Sequence, residues 1–265
     1  MKTERLSISV INLILIVTLA ACNSTTQGNA TATADLSTIA PSQPTITAGA
    51  TTQPTKSSGC ANPYFPTSAG ATWTYATSSS MAPDNTTKRT ITSINATGFT
   101  TEDASAPDIN VQIQWNCKDG NLAMLQSARI TLSNDATVLG ITSVDSSGYL
   151  IPAVISDGMT WSETLKIIGT GEVNGTTKMI QHNDTQIDCT AAGKESVTVQ
   201  AGKFDALKVS CVYTITSLTE FQDQTGVSSP VITNETITDW FVVGVGSVKR
   251  ETVGDISETA VLTSY

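Results

Sequence analysis

The strongest constraint on this chain is an alternation of period two that runs through nearly everything after Gly59. In VQIQWNC, Val111, Ile113, Trp115 and Cys117 share one face, while Gln112, Gln114 and Asn116 share the other. LKVSCVYTI sets Leu207, Val209, Cys211, Tyr213 and Ile215 together, and ATWTY does the same for Ala71, Trp73 and Tyr75. Successive side chains of a strand point to opposite faces, so this pattern describes strands with one buried side. Turn signals separate the runs: Lys118-Asp119-Gly120-Asn121, Ser146-Ser147-Gly148, Val173-Asn174-Gly175 and Ala201-Gly202. No stretch carries the 3.6-residue spacing of an amphipathic helix. The expectation is an all-β fold with little helix, its antiparallel strands forming a curved open barrel or a sandwich. Composition agrees: 39% of residues are hydrophobic and only 14% charged, with Thr and Ser supplying the outward faces.

A faint internal echo points to two similar halves, about 60–150 and 151–265. Gly70-Ala71-Thr72-Trp73 returns as Gly158-Met159-Thr160-Trp161, and Asn85-Thr86-Thr87-Lys88 as Gly175-Thr176-Thr177-Lys178. A repeat of this length implies two similar sheets or one continuous curved sheet.

The N-terminus has three zones. Lys2 and Arg5 precede an apolar run, Leu6 to Leu19, which is too short for a comfortable membrane span and suits the apolar core of a signal peptide. Leu19-Ala20-Ala21-Cys22 follows and resembles the bacterial lipobox. That resemblance implies cleavage before Cys22, a diacylglyceryl thioether on its sulfur, and a membrane as partner. Several buried acyl chains anchor far better than one, at roughly 0.8 kcal/mol per CH₂. Asn23 is not the aspartate associated with inner-membrane retention in diderm bacteria.

Residues 23–58 have no aromatic residue, only Asp35 and Lys56 as charges, and Pro41, Pro44 and Pro54 as interruptions. Such a segment cannot bury enough apolar surface to offset its ordering entropy, so it reads as a disordered tether spanning roughly 30–35 Å. The expected organisation is a signal peptide over 1–21, a lipidated cysteine and tether over 22–58, and one β domain over 59–265. The expected location is extracytoplasmic, on the outer face of the cell membrane or on an outer membrane. Removing Lys2, Arg5 and Glu4 from 14 basic and 23 acidic residues leaves 12 against 22, a net charge of −10. An acidic surface repels phosphate, which argues against nucleic acid as a partner.

Five cysteines less Cys22 leave Cys60, Cys117, Cys189 and Cys211, an even number in an exported chain, hence two disulfides. Three pairings are open. Cys189–Cys211 is favoured because both lie in one local β unit, which leaves Cys60–Cys117. A metal site lacks Cys-x-x-Cys spacing and has His182 as its sole histidine, so neither metal nor cofactor is expected.

Catalytic signatures are equally thin. His182 sits in the polar stretch KMIQHNDTQ, where it reads as a solvent-exposed residue rather than the centre of a triad. No Gly-x-Ser-x-Gly elbow occurs, and Ser247 with Lys249 lacks an oxyanion motif. The glycines of GTGEVNG (169–175) and GVG (244–246) do not open helices and read as turn residues. Scattered carboxylates define no glycosidase pair. Asp145-Ser146-Ser147-Gly148 is at most a weak cation turn. Trp73, Trp115, Trp161 and Trp240 alternate with Val and Ile, which makes them core anchors or the walls of an apolar pocket.

Three stretches, NPYFPTSAGATWTY (Asn62–Tyr75), ESVTVQAGKFDALKVSC (Glu195–Cys211) and DWFVVGVGSVKRE (Asp239–Glu251), resemble a group of uncharacterised bacterial envelope proteins. The resemblance implies a β-rich extracytoplasmic domain, often lipid-anchored, and brings no catalytic residues with it. Gly202 and Gly246 would mark turns, Phe204 and Trp240 would pack, and Glu195 could pair with Lys249 across strands. The leading expectation is a membrane-anchored, non-enzymatic lipoprotein that binds an envelope partner or serves a structural role. Its alternative is a carrier or sensor of a small apolar ligand held in a β cavity. A carboxylate-dependent hydrolase stands third.

Overall fold

The structure is a computed structural model that describes residues 60–80, 84–105, 109–125, 129–132, 139–173, 177–221, 226–227, 229–255 and 257–265. Residues 1–59, which contain the expected signal peptide, Cys22 and the expected tether, lie outside the described residues. Fourteen strands follow one another in a single sheet. The first seven are β1 (Thr72–Ser79), β2 (Asn85–Ile94), β3 (Gly98–Ser105), β4 (Ile109–Lys118), β5 (Asn121–Met124), β6 (Arg129–Leu132) and β7 (Leu139–Gly148). The second seven are β8 (Thr160–Val173), β9 (Thr177–Val199), β10 (Gly202–Phe221), β11 (Gly226–Val227), β12 (Val231–Val242), β13 (Gly246–Val253) and β14 (Glu258–Ser264). No helix occurs among the described residues.

Twelve of these strands form an up-and-down antiparallel barrel in which each pairs with the next along the chain. Pairing of β14 with β1 brings the last strand back to the first. β5 and β11 are short additions on the ends of β4 and β10. The wall is thinnest at β6, which meets β4 through Ile109↔Leu132, Asn110↔Thr131 and Val111↔Ile130, and β7 only through Arg129↔Gly140 and Ile130↔Leu139. The barrel is therefore nearly closed. Near-closure removes the exposed strand edges that a flat sheet of this size would offer to other chains.

Counted around the ring, six strands (β1–β4, β6, β7) precede the second Gly-x-Thr-Trp element and six follow it. Gly70 and Gly158 both have positive φ, at 76° and 74°, and each places a tryptophan as the second residue of a strand. Gly175–Lys178, the second member of the other echo, begins outside the described residues.

The alternation seen in the sequence becomes a division between lumen and exterior, and along β1, β2 and β3 the lumen side grades from apolar to polar, whereas on β12 apolar and polar residues are interleaved. On β1 it runs Trp73, Tyr75, Thr77; on β2, Ile91, Arg89, Thr87; on β3, Phe99, Thr101, Asp103, Ser105. On β12 it runs Phe241, Asp239, Ile237, Glu235, Thr233. The apolar end is plugged by the segment after Cys60. Phe65 lies 5.2 Å from Phe99, 5.3 Å from Trp115 and 5.8 Å from Trp73, ring centre to ring centre. Ile91, Leu122, Val248 and Leu262 complete a fully buried cluster around them.

The plug is held by specific bonds. Cys60 is disulfide-bonded to Cys117. The Asn62 side-chain amide donates to the carbonyls of Gly120 (2.8 Å), Ile151 (3.1 Å) and Pro152 (3.2 Å). Phe65 thereby enters the barrel as a fixed stopper.

The stretches Asn62–Tyr75, Glu195–Cys211 and Asp239–Glu251 lie close together in space. The Trp73 indole N–H donates to the Val245 carbonyl at 2.6 Å, and the Tyr75 hydroxyl to the Ser247 carbonyl at 3.1 Å. Val245 lies in the β12–β13 turn and Ser247 at the start of β13, and Gly244 and Gly246 beside them adopt φ of 79° and 106°. A Cβ at Gly246 would meet Trp73, Pro66 and Tyr64 at ordinary contact distance, so it is the positive φ that calls for glycine here. Beyond the barrel wall the β9–β10 hairpin continues as an arm folded over the outside of β12–β14. The Ala201 N–H donates to the Leu262 carbonyl at 3.1 Å, and Phe204 stacks edge-on against Tyr265. Trp240 lies beneath this arm. It points outward from β12 yet is only 3% exposed.

Candidate functional site

The polar half of the barrel interior gathers most of the buried charge in the described chain. The Arg89 guanidinium forks onto Asp103, Nε to Oδ1 at 2.8 Å and Nη2 to Oδ2 at 2.6 Å. Arg250 forks onto Asp239 at 3.0 and 2.9 Å, and the Ser247 hydroxyl adds a third donor to Asp239 at 2.8 Å. Both pairs sit side by side on neighbouring strands, Arg89 opposite Asp103 and Asp239 opposite Arg250. Bidentate geometry is what lets ions leave bulk water at tolerable cost. Burial would lower both arginines, but the adjoining aspartates outweigh it and hold them further above their ordinary range.

Two tyrosines complete this band. Burial pushes the Tyr75 hydroxyl up to about 12, opposed by Arg89 and Arg250. Burial likewise raises Tyr213. Tyr75, Arg89, Asp103, Tyr213 and Arg250 point inward yet keep partial exposure, so this half of the lumen admits water. Further along come hydroxyls and amides: Thr87 bonds Ser105 at 2.8 Å and Ser217 bonds Asn183 at 2.7 Å. Near the polar end a shallow depression, open to solvent, is lined by residues including Ser78, Ser80, Thr252, Ser257, Glu258 and Thr259. Burial raises the Glu258 carboxyl, with Arg250 acting against it.

Two glutamates stand apart because they have no countercharge. Glu163 is 1% exposed; its Oε1 accepts the Met124 N–H at 3.0 Å and its Oε2 has no partner. Burial raises it to about 8, the single hydrogen bond pulling the other way. Glu235 is 3% exposed with an unpartnered Oε2, and burial followed by the Asp255 charge raises it to about 7. Through the ladder pairs Glu163↔Ile187, Ile187↔Tyr213 and Tyr213↔Glu235 the two occupy one row of the inner wall. Three strand spacings, roughly 14 Å along the wall, separate them. They do not face each other as an acid–base pair.

The sequence reasoning missed this band. Its signal was present: Arg89, Asp103, Glu163, Glu235 and Asp239 each occupy the inward phase of an alternating strand, where a charge is expensive unless something answers it.

The residues singled out beforehand lie elsewhere. Trp73 and Trp115 are buried in the apolar plug, and Trp161 is half-buried with its N–H on the Leu150 carbonyl at 3.2 Å. Trp240 belongs to the outer face, where Lys249 and Lys208 lie 4.5 and 5.2 Å from its ring centre and its N–H donates to Glu195. The anticipated Glu195–Lys249 pair is corrected here. Both residues converge on Trp240, but Glu195 faces Lys208 at 3.9 Å and Lys249 bonds Glu251 at 2.6 Å, because the indole occupies the space between them. Cys189 and Cys211 are bonded across the β9–β10 ladder and buried beside Ala191 and Val209. His182 lies on the outer side of β9, 3.5 Å from Glu220. No cluster of three metal-ligating side chains occurs among the described residues.

A family model described as DUF3108-like matches residues 77–259, which is more than half of the chain. The chain belongs to the DUF3108-like family. The matched region opens in β1 and closes in β14, so the family unit is this barrel. Two solved structures share similarity with the DUF3108-like chain. One is described as a "putative exported protein with YmcC-like fold" from Bacteroides fragilis NCTC 9343: 12% identity over 77% of this chain and 99% of that one, with a TM-score of 0.43. The other is described as a "putative lipoprotein" from Parabacteroides distasonis ATCC 8503: 12% identity over 77% and 98%, with a TM-score of 0.36. No curated protein matches the chain.

Proposed function

We propose that this DUF3108-like chain is an extracytoplasmic lipoprotein, anchored through lipid on Cys22, whose barrel is a non-enzymatic binding or structural module of the cell envelope. In this reading residues 1–21 are removed, 22–58 form the tether and the β domain begins at 59. The carrying observation is the two-part lumen. One half is filled by Phe65 and its aromatic neighbours, and the other presents paired ions, tyrosines and hydroxyls to water. A surface of that kind recognises polar groups rather than transforming them, because Asp103 and Asp239 are already committed to arginines.

The alternative, a carrier of an apolar ligand, needs an empty apolar cavity where the aromatic plug now stands. A carboxylate hydrolase needs two converging carboxyls, whereas Glu163 and Glu235 are three strands apart. Membrane fractionation tests the anchor. Wild-type protein should sediment with membranes, and residues 22–265 carrying Cys22→Ser, exported behind an ordinary cleavable signal in place of residues 1–21, should be released. Persistent attachment of that variant would refute the reading.

A further inference from the structure

We propose that the plugged end of the barrel rests on the lipid surface, leaving the polar mouth directed away from it. Two of the most exposed apolar side chains in the described chain lie at this end, Val154 at 75% and Val243 at 66%. They are brought together by the cap. Gly244, next to Val243, donates its N–H to the Pro63 carbonyl at 2.9 Å. Tyr64 donates its hydroxyl to the carbonyl of Ile155, next to Val154, at 3.4 Å. Ala61 and Pro63 are themselves exposed, so Ala61, Pro63, Val154 and Val243 form one small apolar face.

What covers that face follows from where the chain enters it. Residue 60, where the described chain begins, opens the cap and is fixed to β4 by the Cys60–Cys117 bond, so the described domain starts at this end. Charge points the same way. Asp255 and Glu258 lie at the opposite mouth, where an anionic membrane surface would repel them, while Glu251 there is already paired with Lys249. The rim of the apolar face carries Lys118, Asp119 and Asp157, of mixed sign. A few apolar side chains in the interface bind weakly alone, and a tether supplies the high local concentration that makes weak contact persist. The side of the bilayer rests on the lipid-anchor reading, whereas the contact itself does not.

The test uses the mature chain, residues 22–265 carrying Cys22→Ser, so that neither acyl chains nor the apolar run of residues 6–19 masks the contact, with vesicles of phosphatidylcholine and phosphatidylethanolamine. Co-sedimentation should be measurable at high lipid and fall about tenfold on adding Val154→Asp and Val243→Asp. Val253→Asp, an exposed valine at the opposite mouth, should leave it unchanged. No sedimentation at any lipid concentration overturns the proposal, as does equal loss from Val253→Asp. A lipid-free mass twice that of one chain, abolished by the Val154 and Val243 changes, would assign the face to a second copy and equally overturn it. The anchor is judged separately. A wild-type chain without lipid on Cys22 defeats the anchor alone, while an acylated wild type whose Cys22→Ser form ignores vesicles defeats this inference alone.

Discussion

Glu163 carries an inward carboxyl that meets one backbone N–H and no cation, so the folded protein keeps its proton well above the usual carboxylate range. Its folded value of about 8 lies above the ordinary 4.5. Between those limits the native state therefore holds a proton that the unfolded chain releases. Stability falls as pH rises through that window and levels off above it. Glu163→Gln keeps the acceptor for Met124 and removes the titration. The variant should gain on wild type between pH 5 and pH 9, by an amount on the order of a few kcal/mol. Urea midpoints at both pH values check this, and parallel curves would contradict it. Glu163 was legible as an anomaly, a carboxylate in phase with Trp161 and Leu165. Its lack of a partner was not, because β5, which supplies the Met124 N–H, lies 39 residues away along the chain.

Among the elements, the cap and the outer arm do most to set the shape. The Cys60–Cys117 bond closes a separation of 57 residues, and in the loop-entropy model such a crosslink is worth about 4 kcal/mol. Replacing both cysteines with serine should lower the unfolding free energy by about that amount and increase quenching of the plug tryptophans by acrylamide. An unchanged denaturant midpoint would show that the cap is held by the Asn62 bonds alone.

In the outer arm, Glu195→Ala removes the acceptor of the Trp240 N–H and the partner of Lys208. Leaving that donor unanswered should cost about 1–3 kcal/mol. Proteolysis near Gly202 should then become faster, and an unchanged cleavage rate would leave the arm without a structural role for Glu195. Strand faces could be read from alternation alone, as Val111–Cys117 and Leu207–Ile215 show. Docking of the arm could not, since the same alternation continues from barrel wall into arm without a break.

At the scale of the whole molecule, the all-β class and the curved sheet followed directly from period two and turn spacing. The near-closure did not, because pairing of β14 with β1 joins residues such as Thr77 and Ala260 that no local pattern connects. The two Gly-x-Thr-Trp elements share one local form, a positive-φ glycine followed by a strand whose second residue is tryptophan. Partition of the lumen is also a property of the whole. The aromatic plug requires β1, β3, β4 and the cap together, and the ionic band requires β2, β3, β12 and β13.

The central claim is that this barrel works outside the cytoplasm on a lipid tether, and intact-mass analysis of membrane-extracted protein tests it most directly. The account predicts a chain beginning at Cys22, heavier than its sequence by the acyl and glyceryl groups, with the other four cysteines giving no free thiol before reduction. An unmodified Cys22, or thiols that react without reduction, would contradict it.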